Sequence, residues 1–176
     1  VEISGDSERL NLEVLTHYFE SLPRDSSILL LGRFQIDRLR LLHCTQFKLT
    51  SDSIEFHTRP DLKIRFLTVH QSKGLEADYV VILNNRETKL GFPAHVKDPP
   101  LKTELVKIVE ELRLDQVSVN EERRLFYVAL SRAKKQVILL TVDGKESSFI
   151  KELRRKFRED FTTYYLSHFE KYLNLE

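Results

Sequence analysis

Four short apolar runs constrain this chain more than any other feature: residues 27–31 (SILLL), 64–69 (IRFLTV), 79–83 (YVVIL) and 136–142 (QVILLTV). Each has strand length, is rich in Leu and β-branched residues, and lacks the strict alternation of a half-exposed strand, so each suits a strand covered on both faces. Segments with helical spacing surround them. Leu10, Val14, Leu15, Tyr18 and Phe19 precede the first run, and Leu39, Leu42 and Cys44 follow it. The alternation predicts an α/β domain with a mainly parallel sheet. Residues 54–57 read as an edge strand ended by Arg59-Pro60. Residues 84–120 pass through Gly91-Phe92-Pro93 and Asp98-Pro99-Pro100 and read as an excursion from the sheet. A last helical stretch, 147–175, carries Phe149, Ile150, Leu153 and Phe157, then Phe161, Tyr164, Tyr165, Phe169 and Tyr172, and reads as a docked helix pair with its aromatics in the core.

A chain of 176 residues, 41% hydrophobic and 31% charged, is expected to form one domain over 1–176, with its core at about 27–142. No stretch approaches the 18 apolar residues of a membrane span, and no secretory pattern opens the chain. The single cysteine, Cys44, cannot form an internal disulfide, which points to a reducing, cytoplasmic setting and excludes a cysteine metal cage. The absence of Met and the start at Val1 point to a piece of a longer polypeptide. A net charge of +1 does not by itself indicate a nucleic-acid partner, but charge is segregated: an acid-rich stretch over 98–122 gives way to Arg123, Arg124, Arg132, Lys134 and Lys135.

Two segments carry chemistry. The first, 66–83, is a buried strand, a polar turn and a second buried strand. Ligands in open parallel sheets collect at the carboxyl ends of strands, and His70, Gln71, Ser72, Lys73 and Gly74 are expected at that edge. Gly74 permits a tight turn or a close backbone approach, its neighbours offer donors suited to phosphate, and Glu76 adds an acceptor. A solvated polar turn is the alternative. The second segment, 120–135, reads as a helix capped by Asn120, with Glu121 and Glu122 at its positive end and Leu125, Val128 and Ala129 facing inward. Arg132 lies in line with that stripe. Its charge cannot be removed at neutral pH, so it requires an anion: either a carboxylate inside the domain or a phosphate at its edge. Arg123, Arg124, Lys134 and Lys135 read as a solvated basic face, with one of the first pair available to tie down a neighbouring turn.

Thr-Val-His-Gln-Ser-Lys-Gly-Leu-Glu (68–76) resembles motif V of the UvrD/Rep superfamily 1 helicases, and Glu-Glu-Arg-Arg-Leu-Phe-Tyr-Val-Ala-Leu-Ser-Arg-Ala (121–133) resembles their motif VI. Gly91-Phe92-Pro93 is similar to the Phe-Pro turn between those motifs, and 28–34 to the strand that opens the second motor lobe. The resemblance covers about 27–142. It implies the C-terminal, RecA-like (P-loop NTPase-type) lobe of an ATP-dependent DNA helicase, a mainly parallel sheet flanked by helices. Only about twenty residues separate Gln46 from Phe66, so the large accessory domain of classical members is absent, and the compact layout is similar to the helicase IV branch. Ser131 stands where many members have Thr.

No G-x-x-x-x-G-K-[ST] sequence occurs, so the resemblance implies a lobe that lacks the P-loop and does not hydrolyse ATP alone. The P-loop lysine, the ligands for Mg2+ and the water-orienting carboxylate would come from an N-terminal lobe of the same polypeptide. Carried over by position, Arg132 is implied as the arginine finger, Glu76 as the ribose contact, Gly74 and Lys73 as further ATP neighbours, and Arg33, Thr68, His70 and Ser72 as contacts to DNA. The resemblance also implies 3′ to 5′ translocation. A non-catalytic DNA- or protein-binding module derived from such a lobe is the alternative.

Overall fold

The computed structural model describes residues 2–5, 8–50, 53–94, 114–142 and 144–165. Its centre is the set of apolar runs named above. They form β2 (Ser27–Gly32), β5 (Lys63–Thr68), β6 (Ala77–Ile82) and β7 (Ala133–Val142). With β1 (Glu2–Gly5), β3 (Phe47–Leu49), β4 (Ile54–Phe56) and β8 (Thr163–Tyr165) they make an eight-stranded sheet in the order β3-β4-β5-β2-β6-β7-β1-β8. The six strands from β5 to β8 in that order pair in parallel, while β3 and β4 add an antiparallel ribbon at one edge.

Residues on alternate sides of β2 enter different cores. Ile28 and Leu30 pack with Leu12, Leu15 and Phe19 of α1 (Glu8–Glu20), and Leu29 and Leu31 pack with Leu125, Phe126 and Ala129 of α2 (Leu114–Leu130). Both faces are therefore apolar, which is why the runs show no alternation. The inward residues of α1 and α2 recur three and four apart, as amphipathic helices require. The second face also receives Phe149 and Ile150 of α3 (Ser148–Lys156), whose N-terminus is capped by Ser147 accepting from the Ile150 N–H.

Three expectations are corrected. The segment after β2 is a 3-10 helix, Gln35–His43, with three residues per turn: this brings Leu41 and Cys44 inward and leaves Ile36, Leu39 and Leu42 exposed. Asn120 caps nothing, because α2 already begins at Leu114, and Glu122 therefore sits inside the helix rather than at its start. The tail is not helical throughout: after α3 the chain returns to the sheet as β8, which contains Tyr164 and Tyr165. Phe169 and Tyr172 lie outside the described residues, as does most of the 84–120 excursion.

In the α1-side core Phe19, Phe47 and Phe56 meet with ring centroids 5.4 to 6.2 Å apart, joining the helix to the antiparallel ribbon. Phe56 is fully buried. Replacing Phe56 with Ala should lower stability by about 3–5 kcal/mol, measured as a fall in the urea midpoint with unchanged slope.

Candidate functional site at two edges of the sheet

The register of the sheet decides where the motif-bearing residues meet. Thr68 pairs with Gly32 at the carboxyl edge, and Val69 continues the pattern by donating to the Gly32 carbonyl at 3.0 Å. Ala77 pairs with Ala133 at the opposite, amino edge. Since Ile82 is level with Leu31, Ala77 lies six residue positions from the level of Thr68, roughly 20 Å at a strand rise near 3.3 Å. Residues 69–76 must span that distance, so the expectation that 70–74 all sit at the carboxyl edge is corrected. Because β5 and β6 are parallel, the chain must return along the sheet before β6 begins. It does so on the α2 face, where Val69 and Ala77 both join the core. The segment leaves Thr68 and His70 at one edge and delivers Glu76 to the other.

At the amino edge the crossing segment meets the end of α2. The Ala77 N–H donates to the Arg132 carbonyl at 3.0 Å. The Arg132 guanidinium is half-buried and donates from Nε to the Val128 carbonyl (3.1 Å), from Nη1 to the Leu75 carbonyl (3.3 Å) and from Nη2 to Ser131 Oγ (3.0 Å). All three acceptors are neutral, and no carboxylate pairs with it among the described residues. Of the two partners left open by the sequence, the internal acid is thus not used. Glu76 stands beside this group, exposed, with Lys134 Nζ at 3.9 Å from its Oε2. Gly74 has φ +80, a conformation that favours glycine, and open space where a side chain would stand. Lys73 is exposed. Lys135 is not part of a free basic face: its ammonium binds Asp78 at 3.0 Å. Asp78 also accepts from the Ser27 N–H and hydroxyl, and these bonds with Lys135 hold its carboxyl well below the usual range.

At the carboxyl edge the side chains singled out for DNA are differently disposed. His70 is exposed. Ser72 is fully buried and its hydroxyl donates to the Val69 carbonyl at 2.7 Å, which corrects its assignment as a surface contact. Thr68 Oγ1 donates to Gln71 Oε1 at 3.1 Å. Arg33 closes on Glu122 of α2, with Nε and Nη2 at 2.7 to 3.1 Å from its carboxylate, while its guanidinium lies 4.7 Å from the Phe34 ring centre. Glu122, 6% exposed, accepts in addition from the Ala94 N–H at 2.9 Å. This acid therefore ties the end of β2, the Phe92-Pro93 turn and α2 together. Gly91 is needed there because a Cβ would fall 1.9 Å from the Arg86 carbonyl oxygen, and Phe92 packs edge-on against Phe126 at 5.2 Å. The sequence reading missed this pair because nothing local links positions 33 and 122.

Further along α2, Arg123 pairs with Glu152 of α3 and covers the Phe149 ring at 5.2 Å, so the tie from this basic pair goes to a helix rather than a turn. Among the described residues, no group of three or more His, Cys, Asp or Glu is arranged to hold a metal, and no helix is long and apolar enough to cross a membrane.

The family model for the UvrD-like helicase C-terminal domain matches residues 34–144. DNA helicase IV of Escherichia coli (strain K12) is 40% identical over 95 residues, covering 54% of this chain and 13% of that protein. An ATP-dependent helicase/nuclease of Staphylococcus haemolyticus (strain JCSC1435) is 35% identical over 109 residues, 49% of this chain and 9% of that protein. A solved structure titled as the C-terminal domain of a possible DNA helicase from Lactobacillus plantarum WCFS1 has a TM-score of 0.48 and 18% identity, covering 85% of this chain and 76% of that one. The class is thus a helicase C-terminal domain with a mainly parallel, helix-flanked α/β sheet. Within that class, the chain belongs to the UvrD-like helicase C-terminal domain family. It spans 13% or less of the length of these two full-length relatives.

The α2–α3 tie has a measurable acid limit. Lys156 and Arg123 hold the Glu152 carboxyl at about 2, below its ordinary 4.5. A depressed carboxyl contributes stability that is complete above the unfolded value and is lost as pH falls through the folded one. The stability difference between the natural chain and Glu152→Gln should therefore be constant above about pH 5.5 and shrink steadily toward pH 2 in urea titrations.

Proposed function

We propose that this chain is the C-terminal motor domain of an ATP-dependent DNA helicase or translocase, which works against an N-terminal P-loop lobe of the same polypeptide. The observation that carries the reading is the Arg132 guanidinium: half-buried at the amino edge, beside the exposed Glu76, and bonded only to neutral acceptors among the described residues. Such a cation retains full attraction for an anion. In the proposed mechanism Arg132 reaches the γ-phosphate of ATP bound between the lobes. Glu76 accepts from a ribose hydroxyl, the open side of Gly74 admits the nucleotide, and Lys73 lies within the same loop.

During hydrolysis water attacks the γ-phosphorus, the bond to the bridging oxygen breaks, and ADP leaves with that oxygen. Arg132 opposes the negative charge spread over the transferring group. The P-loop lysine, the water-orienting carboxylate and the Mg2+ ligands belong to the other lobe, so this domain by itself is inactive as an ATPase. Closure around ATP and opening after hydrolysis would alternate the grip of the two lobes on single-stranded DNA at the carboxyl edge. The 3′ to 5′ direction is carried over from the family. His70 and Thr68 remain proposed DNA contacts at that edge, whereas Arg33 serves as a strut through Glu122.

Replacing Arg132 with Ala in a polypeptide that joins this domain to its P-loop lobe should lower DNA-stimulated ATP turnover about a thousandfold, with a smaller effect on ATP affinity. Normal turnover would refute the finger role. The 176-residue chain alone should show no ATP hydrolysis and only weak binding to single strands, since half the groove is missing. Sub-micromolar affinity at physiological salt would contradict that division of labour.

A further inference from the structure

The residues at the carboxyl edge that sequence resemblance marks for DNA are largely turned into the fold. Ser72 is buried, the Thr68 hydroxyl hydrogen is given to Gln71, and Arg33 is closed on Glu122. A different side chain faces outward in a fixed pose. Gln71 Oε1 receives three donors: the Thr68 N–H at 3.0 Å, the Thr68 hydroxyl at 3.1 Å and Gln35 Nε2 at 2.9 Å. The backbone N–H of Thr68 can only donate, so the oxygen of the Gln71 amide must be the atom that faces it. The planar amide then directs its NH2 away from the cluster. Gln71 and Gln35 are both exposed, and the Gln71 Nε2 has no partner among the described residues.

From this arrangement we infer that Gln71, braced by Gln35 and Thr68, is a contact for the phosphodiester backbone of single-stranded DNA, donating from its outward NH2 to phosphate oxygen. The inference rests on the DNA-binding part of the proposed function and assigns it to residues that the motif resemblance does not. Three bonds to the oxygen restrict the side chain before a strand arrives, which reduces the entropy lost on binding. The electrostatics are permissive. The two buried acids nearest this edge are already compensated, Glu122 by Arg33 and Asp37 by Arg40 at 3.0 Å. Neutral amide donors to phosphate position a strand without reading its sequence.

The replacement Gln71→Glu tests this directly, because it keeps an oxygen facing Thr68 and exchanges the outward donor for a negatively charged acceptor. The 176-residue chain, labelled with 15N, is titrated with oligo(dT) and oligo(dA) at low salt, where backbone contacts are strongest. The inference predicts that the Gln71 side-chain NH2 resonances move on titration. It also predicts that Gln71→Glu, with an otherwise unchanged spectrum, weakens binding about tenfold and equally for both oligonucleotides. If the backbone amides of His70 and its neighbours respond while the Gln71 side chain and the variant's affinity do not change, the inference is overturned and the proposed function stands. A penalty confined to one base composition overturns the phosphate assignment. If no resonance at this edge responds to either oligonucleotide, the inference falls together with the DNA-binding part of the proposed function.

Discussion

A parallel pairing imposes the geometry on which everything else depends. With β5 and β6 both flanking β2 in the same direction, the chain between them must travel back along the sheet, roughly 20 Å, in residues 69–76. A polar motif that looks like one loop in the sequence is therefore stretched between two edges. One end carries Thr68, His70 and Gln71; the other carries Glu76 and meets Arg132 through the bond from the Ala77 N–H. The sheet holds the ends apart because β2 and β6 are buried on both faces, and shifting either strand would disturb two cores at once.

The helix α2 runs between the same two edges. Its buried Glu122 is fixed to Arg33 and the Ala94 N–H near the carboxyl edge, and ten residues later Arg132 turns back on the Val128 carbonyl at the amino edge. Breaking a buried pair of this kind by removing one partner costs about 3–5 kcal/mol, since the other charge is left unpaired in the interior. Glu122 thus acts on the position of the whole helix rather than on any ligand. The contrast between the two arginines is instructive: Arg33 has a carboxylate and is a structural tie, whereas Arg132 has neutral acceptors and keeps its attraction for an anion.

Much of the fold was legible in the sequence because burial on both faces leaves unbroken apolar runs, and four of these became central strands with ends shifted by a few residues. The outer strands were not legible. β1 spans four residues with mixed polarity, β3 and β8 span three each, and strands this short carry no periodicity of their own. The 3-10 helix was read with the wrong period, so Leu39 and Leu42 were placed inward when Leu41 and Cys44 are. For the candidate site, residue types and motif order located the right segments, and Gly74 has the positive φ that its role in the turn requires. The reading could not tell which side chains the fold consumes. Ser72, Thr68 and Arg33 are spent on partners defined by three-dimensional contact, and the outward amide of Gln71 follows from a backbone N–H that no pattern of residues reveals.

Hydrogen exchange on a polypeptide that joins this domain to its P-loop lobe tests the two-edge arrangement most directly, with a transition-state nucleotide analogue and a short oligo(dT) added separately. The account predicts that the nucleotide analogue slows exchange at residues 74–77 and 131–133, and that the oligonucleotide slows it at 68–72. Protection of the same edge by both ligands would contradict the account.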